Sequence, residues 1–255
     1  MSSKKNQPNP NPPGTRREQL QQQREQQAKE RRVRNIITFS ILGVALLAIV
    51  GVIVAVVVSS RTLPEASGGG AATGDYTIAV GQGDAPVTLS IFQDYMCPYC
   101  GDFERTNRDD LEAMVEDGTA KIEFHLMNFL DGGGRTYSTR AANAVVAVAK
   151  AEPEHVMAFN AALYDSQPEE AGMGLSDAEI AELARGAGVS NDVIATFAQM
   201  QHQDWVNRSN TAAYEAGVRS TPTVKINGTI WPGDGQTSAM FTPGALKAAV
   251  AEAGK

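Results

Sequence analysis

Cysteine is nearly absent from this chain. Its 255 residues carry two, Cys97 and Cys100, three positions apart. A secreted domain stapled by disulfides needs several cysteines at wide spacing, so that class of fold is excluded. Histidine is as scarce: His125, His155 and His202 have no metal-ligand spacing to one another. A Cys-x-x-Cys is half of a tetrahedral zinc site, and no second pair completes it. No metal and no other cofactor is therefore expected. Internal repeats are missing as well.

Basic charge is scarce beyond residue 60. Residues 1–60 carry nine Lys/Arg against Glu18, Glu25 and Glu30, a net +6 within an overall −7. The rest of the chain holds 13 basic and 26 acidic side chains, a net −13. A surface that acidic repels a phosphate backbone, which argues against nucleic acid as a partner.

Apolar residues are almost missing from 1–35, a Gln-, Asn- and Pro-rich basic stretch. It cannot bury enough surface to offset its ordering entropy and is expected to be a disordered cytoplasmic tail. Charge is then missing from Ile36 to Val58, a run of 23 residues. At helical rise it spans roughly 35 Å, more than the ~30 Å hydrocarbon core, so it is expected to be a single membrane anchor in contact with the lipid bilayer. A cleaved signal peptide would have a shorter apolar region and an Ala-x-Ala site, for which Val58-Ser59-Ser60 is a poor substitute. Arg31-Arg32-Val33-Arg34 on its N-terminal flank retains that side in the cytoplasm and sends everything after Val58 outward. Residues 59–75, with Ala66-Ser-Gly-Gly-Gly-Ala-Ala72, form a flexible linker.

From residue 76 to 255 the pattern becomes globular. Val87 to Phe92 reads as a strand, Cys97 to Glu116 as a helix and Lys121 to Met127 as a second strand. Helices follow over 139–150, 154–164 and 176–187, the last opened by the capping box Ser176-Asp-Ala-Glu179. Asn191 to Gly217 reads as one long helix. Strand returns at Thr223 to Ile226, turns at Asn227-Gly228 and resumes at Thr229-Ile-Trp231. A closing helix is expected with Thr242 as N-cap and Pro243 at its first position.

The chemistry concentrates at Cys97-Pro98-Tyr99-Cys100, where a strand hands over to a helix. Unpaired N–H groups of a first helical turn stabilise a thiolate, and Pro98 suits that turn because its missing N–H would have had no helical partner. One turn separates the sulfurs, so the pair can open, close and exchange. Cys97, at the exposed end, is the expected attacking thiol, and Cys100 resolves the mixed disulfide. His125 and Trp205 read as packing residues.

Pro86-Val-Thr-Leu running by a strand into Asp94-Tyr-Met-Cys97-Pro-Tyr-Cys100, the long helical insertion (about 134–217) and Gly217-Val-Arg-Ser-Thr-Pro222-Thr-Val-Lys-Ile-Asn-Gly228 together resemble the DsbA-like branch of the thioredoxin superfamily. Tyr137-Ser-Thr-Arg-Ala-Ala-Asn143 is similar to the first inserted helix of its membrane-tethered actinobacterial-type members. The resemblance implies an α/β thioredoxin-like fold with an inserted helical subdomain. It implies a cis bond before Pro222, which faces the disulfide, and a substrate-holding role for Thr221. Many relatives carry a buried acid six residues before the first cysteine; here that position is Ile91, leaving Asp94, Glu104 and Lys225 as candidate proton carriers.

The activity so implied is extracytoplasmic thiol–disulfide exchange, as an oxidant of cysteine-containing secreted or membrane proteins, with a separate membrane redox partner. The alternatives are a reductase or isomerase, and a non-catalytic or metal-handling binding module on the same fold.

Overall fold

The structure is a computed structural model and describes residues 71–72, 75–233 and 237–255. The expected tail, the anchor at 36–58 and most of the linker lie outside these residues. Among the described residues no helix is long and apolar enough to cross a membrane.

A mixed six-stranded sheet runs in the order β1 (Ala71–Ala72), β2 (Ile78–Val80), β4 (Ala120–Leu126), β3 (Val87–Gln93), β5 (Thr223–Ile226), β6 (Thr229–Trp231). At its centre β3 pairs in parallel with β4, Val87 opposite Ala120 through Gln93 opposite Leu126. Alternation in β4 buries Ala120, Ile122, Phe124 and Leu126 and leaves Lys121, Glu123 and His125 less covered, as one packed face demands. On the other side β3 meets β5 antiparallel, with Phe92 opposite Thr223. That register decides the site, because the exit of β3 and the entry of β5 fall at the same end of the sheet.

The β5–β6 turn has both Asn227 (φ 48°) and Gly228 (φ 82°) in the left-handed region, which Asn-Gly tolerates and other pairs resist. Asn227 Oδ1 also accepts the Thr88 N–H at 2.9 Å, tying the hairpin to β3.

Helix α1 (Pro98–Glu116) follows β3, and α7 (Ala245–Ala253) closes the chain. Between β4 and β5 come α2 (Tyr137–Ala151), α3 (Val156–Asp165), α4 (Asp177–Gly186), the single turn α5 (Asn191–Ile194) and α6 (Gln203–Glu215). The Ala- and Val-rich α2 is buried over twelve of its fifteen residues and serves as the axis of this group. The capping box forms: Ser176 Oγ accepts from the Glu179 N–H, and Glu179 accepts from the Ser176 N–H at 2.7 Å.

Two expected elements are corrected. Residues 191–217 are not one helix: they break into α5, a 3-10 turn at Phe197–Gln199 and α6, with Met200 left-handed at φ 49°. The break is held from outside, since buried Asn143 on α2 donates to the Phe197 carbonyl at 3.0 Å and accepts the His202 N–H at 2.8 Å. The His202 N–H thus gains a side-chain partner in place of an intrahelical one, and the Phe197 carbonyl adds one to the bond it accepts from the Met200 N–H at 3.1 Å. The last helix starts not at Pro243 but at Ala245, after Gly244 at φ 77°. Thr242 donates back to the Ser238 carbonyl at 3.0 Å and is not the cap.

Candidate functional site

Cys97 occupies the N-cap of α1 in extended conformation, with Pro98 in the first turn. Its carbonyl accepts the N–H groups of Cys100 (3.0 Å) and Gly101 (3.3 Å), which starts the helix. Cys97 is 6% and Cys100 1% exposed, so both are buried and Cys97 is the less covered of the two. Both are thiols. The Cys97 thiol donates to the Thr221 carbonyl at 3.4 Å, and the Thr221–Pro222 bond is cis, the geometry the resemblance implies. The β3/β5 register thus joins segments more than a hundred residues apart.

The two thiols differ in acidity. Cys97 is pushed down to about 7, first by a hydrogen bond from the Cys100 side chain. Burial works against that, while bonds from the Thr221 side chain and from the Cys100 backbone reinforce it. The charge of Asp94 opposes it slightly. Burial, and then the Cys97 side chain, push Cys100 well above the ordinary thiol range. The partner thiol is the largest cause, and the helix N-terminus expected from the sequence acts through the Cys100 N–H as a smaller one. Such an asymmetric pair supplies one attacking thiolate and one protected, proton-holding thiol.

Tyr99 stands 64% exposed beside this pair, its ring tilted against Phe241 at 6.2 Å. It gives the rim of the site an uncovered aromatic surface.

Ile91 is fully buried in the core and supplies no acid. Of the three candidate proton carriers, Glu104 is engaged by Arg108 at 2.6 Å, and the Lys225 ammonium lies over the Phe92 ring at 5.1 Å. Asp94 differs: wholly buried, it accepts from the Met96 N–H (2.9 Å), the Ser138 hydroxyl (2.6 Å) and the Leu130 N–H (3.0 Å). It thereby joins the turn before Cys97 to the start of α2 and to the segment after β4. Burial lifts its carboxyl to about 6 despite those three donors. Behind it Tyr164 donates to the Asp94 carbonyl, and Gln93 and Tyr95 both donate to Asn160 Oδ1. Asp94 was legible in the sequence but this shell was not: Asn160 and Tyr164 carry no motif, and Ser138 falls in the segment 137–143 without any sign that it faces Asp94. His125 stacks on Phe92 at 4.0 Å and Trp205 meets Tyr76 edge-on at 6.0 Å, both packing contacts.

The thioredoxin family model matches residues 73–242. Among solved structures, reduced DsbA of Mycobacterium tuberculosis superposes with a TM-score of 0.60 at 29% identity, covering 70% of this chain and 92% of that one. DsbG of the same organism, a disulfide bond oxidoreductase, gives 0.58 at 32% identity over 68% and 82%. The serine/threonine-protein kinase PknE of M. tuberculosis is 38% identical over 124 residues, 46% of this chain and 22% of the kinase. The chain therefore spans well under half the length of that curated relative.

Proposed function

The chain belongs to the thioredoxin family, as a thiol–disulfide oxidoreductase of the DsbA-like type, and from that premise we propose that it oxidises dithiols of secreted or membrane proteins outside the cytoplasm. The observation that carries this reading is the unequal pair: an acidified Cys97 beside Thr221 and a buried Cys100 one turn deeper.

In the oxidising direction a substrate thiolate attacks Cys97 Sγ of the Cys97–Cys100 disulfide. The S–S bond breaks, Cys100 leaves as thiolate and takes up a proton, and a mixed disulfide joins Cys97 to the substrate. The second substrate thiolate attacks the substrate sulfur of that bond, and Cys97 leaves. The substrate loses two electrons and two protons, and the pair gains them. A separate membrane redox partner must then remove them. Tyr99 and Thr221 border Cys97 and form the surface against which an extended substrate docks.

Direction follows from the leaving thiolate. Whatever stabilises the Cys97 thiolate stabilises the reduced form and makes the disulfide more oxidising. Equilibration with glutathione is expected to give a potential above that of thioredoxin, about −270 mV. A value at or below thioredoxin's, with the pair found reduced in cells, moves the assignment to reductase. A Thr before the cis proline also fits an isomerase; reactivation of a scrambled substrate without added oxidant is the result that would favour it.

Location rests on the uncharged run 36–58 and its basic flank. A thiol reagent unable to cross membranes is expected to modify reduced Cys97 on intact cells. Labelling only after lysis would place the domain inside.

A further inference from the structure

Gly101, Arg105 and Arg108 follow one another at helical spacing along one face of α1, and that face meets the end of α3. Arg108 holds both carboxylate oxygens of Asp165, at 2.7 and 3.0 Å. Arg105 donates to the Tyr164 carbonyl at 2.8 Å. At Gly101 there is no side chain to do this, and the space is filled from the other side by Gln167. A Cβ on Gly101 would stand 2.2 Å from Gln167 Oε1 and 2.9 Å from the Arg105 guanidinium. From that seat Gln167 Nε2 donates to two carbonyls of the active-site turn, Tyr95 at 3.0 Å and Cys97 at 2.8 Å.

We infer that Gln167 is a positioning residue for the cysteine pair: the helical insertion delivers its amide to the Tyr95–Cys97 turn, and residue 101 is glycine because that amide occupies its place. The inference rests on the oxidoreductase reading above. Only a primary amide of this length serves. Glutamate would set carboxylate oxygens against two carbonyls, and alanine would leave both carbonyls without this donor. The turn so clamped carries Cys97, whose sulfur must stay within reach of Cys100 and Thr221. Released, the turn lets Cys97 shift away from Cys100, the Cys97 thiolate loses that donor, and the reduced form loses stabilisation. The insertion thereby sets how oxidising the disulfide is.

The test is the glutathione equilibrium of the full chain, read by trapping free thiols, together with the alkylation rate against pH. Gln167→Ala is expected to shift the equilibrium about tenfold toward the disulfide, equivalent to about 30 mV for a two-electron couple, and to raise the Cys97 inflection. Gly101→Ala, which displaces the amide while leaving Gln167 in the chain, is expected to do the same. The double variant should go no further than either single one, because both remove one interaction. Asp165→Ala cuts the neighbouring ion pair alone and is expected to leave the equilibrium at the wild-type value. A Gln167→Ala equilibrium within twofold of wild type overturns the inference, as does an equal shift in Asp165→Ala, which would reduce the contact to a general latch. If Gly101→Ala fails to fold, Gln167→Ala decides alone. Wild-type protein that never exchanges with glutathione would instead overturn the oxidoreductase reading, and this inference with it.

Discussion

Replacing Cys97 by Ser is expected to abolish disulfide exchange, and replacing Cys100 by Ala to leave a Cys97 thiolate that attacks a disulfide already present in a substrate, expels the other substrate sulfur as thiolate, and stays in the mixed disulfide because the Cys100 thiol that would release it is gone. The physical basis is the split between the thiols. An ordinary cysteine, with a pKa of about 8.5, is roughly 3% thiolate at pH 7. Cys97, lowered to about 7, is near half ionised there. Alkylation rate against pH should therefore show one inflection near 7, absent in Cys97→Ser. The gain in rate is smaller than the gain in thiolate, because nucleophilicity falls with pKa. In Cys100→Ala the inflection should survive but move upward, since the bond from the Cys100 side chain is the largest cause of the lowering. An inflection that survives in Cys97→Ser, or vanishes in Cys100→Ala, would reverse the two roles.

Stability against pH offers the second large effect, and it is hidden in the wild type. Burial raises Asp94 from 3.8 to about 6, so the folded state holds that proton more tightly than the unfolded chain. Its contribution is present at low pH and is lost as pH climbs from about 4 to about 6. His125 behaves oppositely. Burial, helped by the charge of Lys225, lowers it from 6.5 to about 4, so the fold sheds a proton that the unfolded chain keeps. Its contribution is gained as pH rises from about 4 to 6.5. At 1.36 kcal/mol per unit each amounts to about 3 kcal/mol, of opposite sign over nearly the same window. Denaturant melts of the wild type should show little slope from these two groups between pH 4 and 6.5. Asp94→Asn should gain stability with rising pH across that window, and His125→Phe should lose it. The offset of each variant reports the lost bonds, whereas its slope reports the titration. Parallel profiles in all three proteins would refute the assignment of both groups.

Much of this molecule could be read from local pattern. Short runs of strand-forming residues placed β3 and β4, the Ser176 box opened α4 where expected, and Asn227-Gly228 turned the hairpin, because each depends on residues within a few positions of one another. The unbroken helix over 191–217 failed for the converse reason. Its local preference is overridden at Phe197–His202 by Asn143, more than fifty residues earlier, whose amide offers the backbone a partner that sequence order does not reveal. The pair itself was legible, since strand, Cys-Pro-Tyr-Cys and helix are contiguous.

What the sequence determined alone is the set of reactive atoms: two cysteines one helical turn apart, a proline heading the strand that pairs beside them, and no metal-ligand spacing to compete for them. The tertiary structure decided how those atoms behave. The antiparallel register of β3 with β5 carries the Thr221 carbonyl to Cys97. The fold around α2 buries Asp94 among three donors, and the end of α3 brings the Gln167 amide onto the turn. Acidity and positioning depend on desolvation and on hydrogen bonds closing at about 3 Å, and those exist only once segments distant in the chain are packed together.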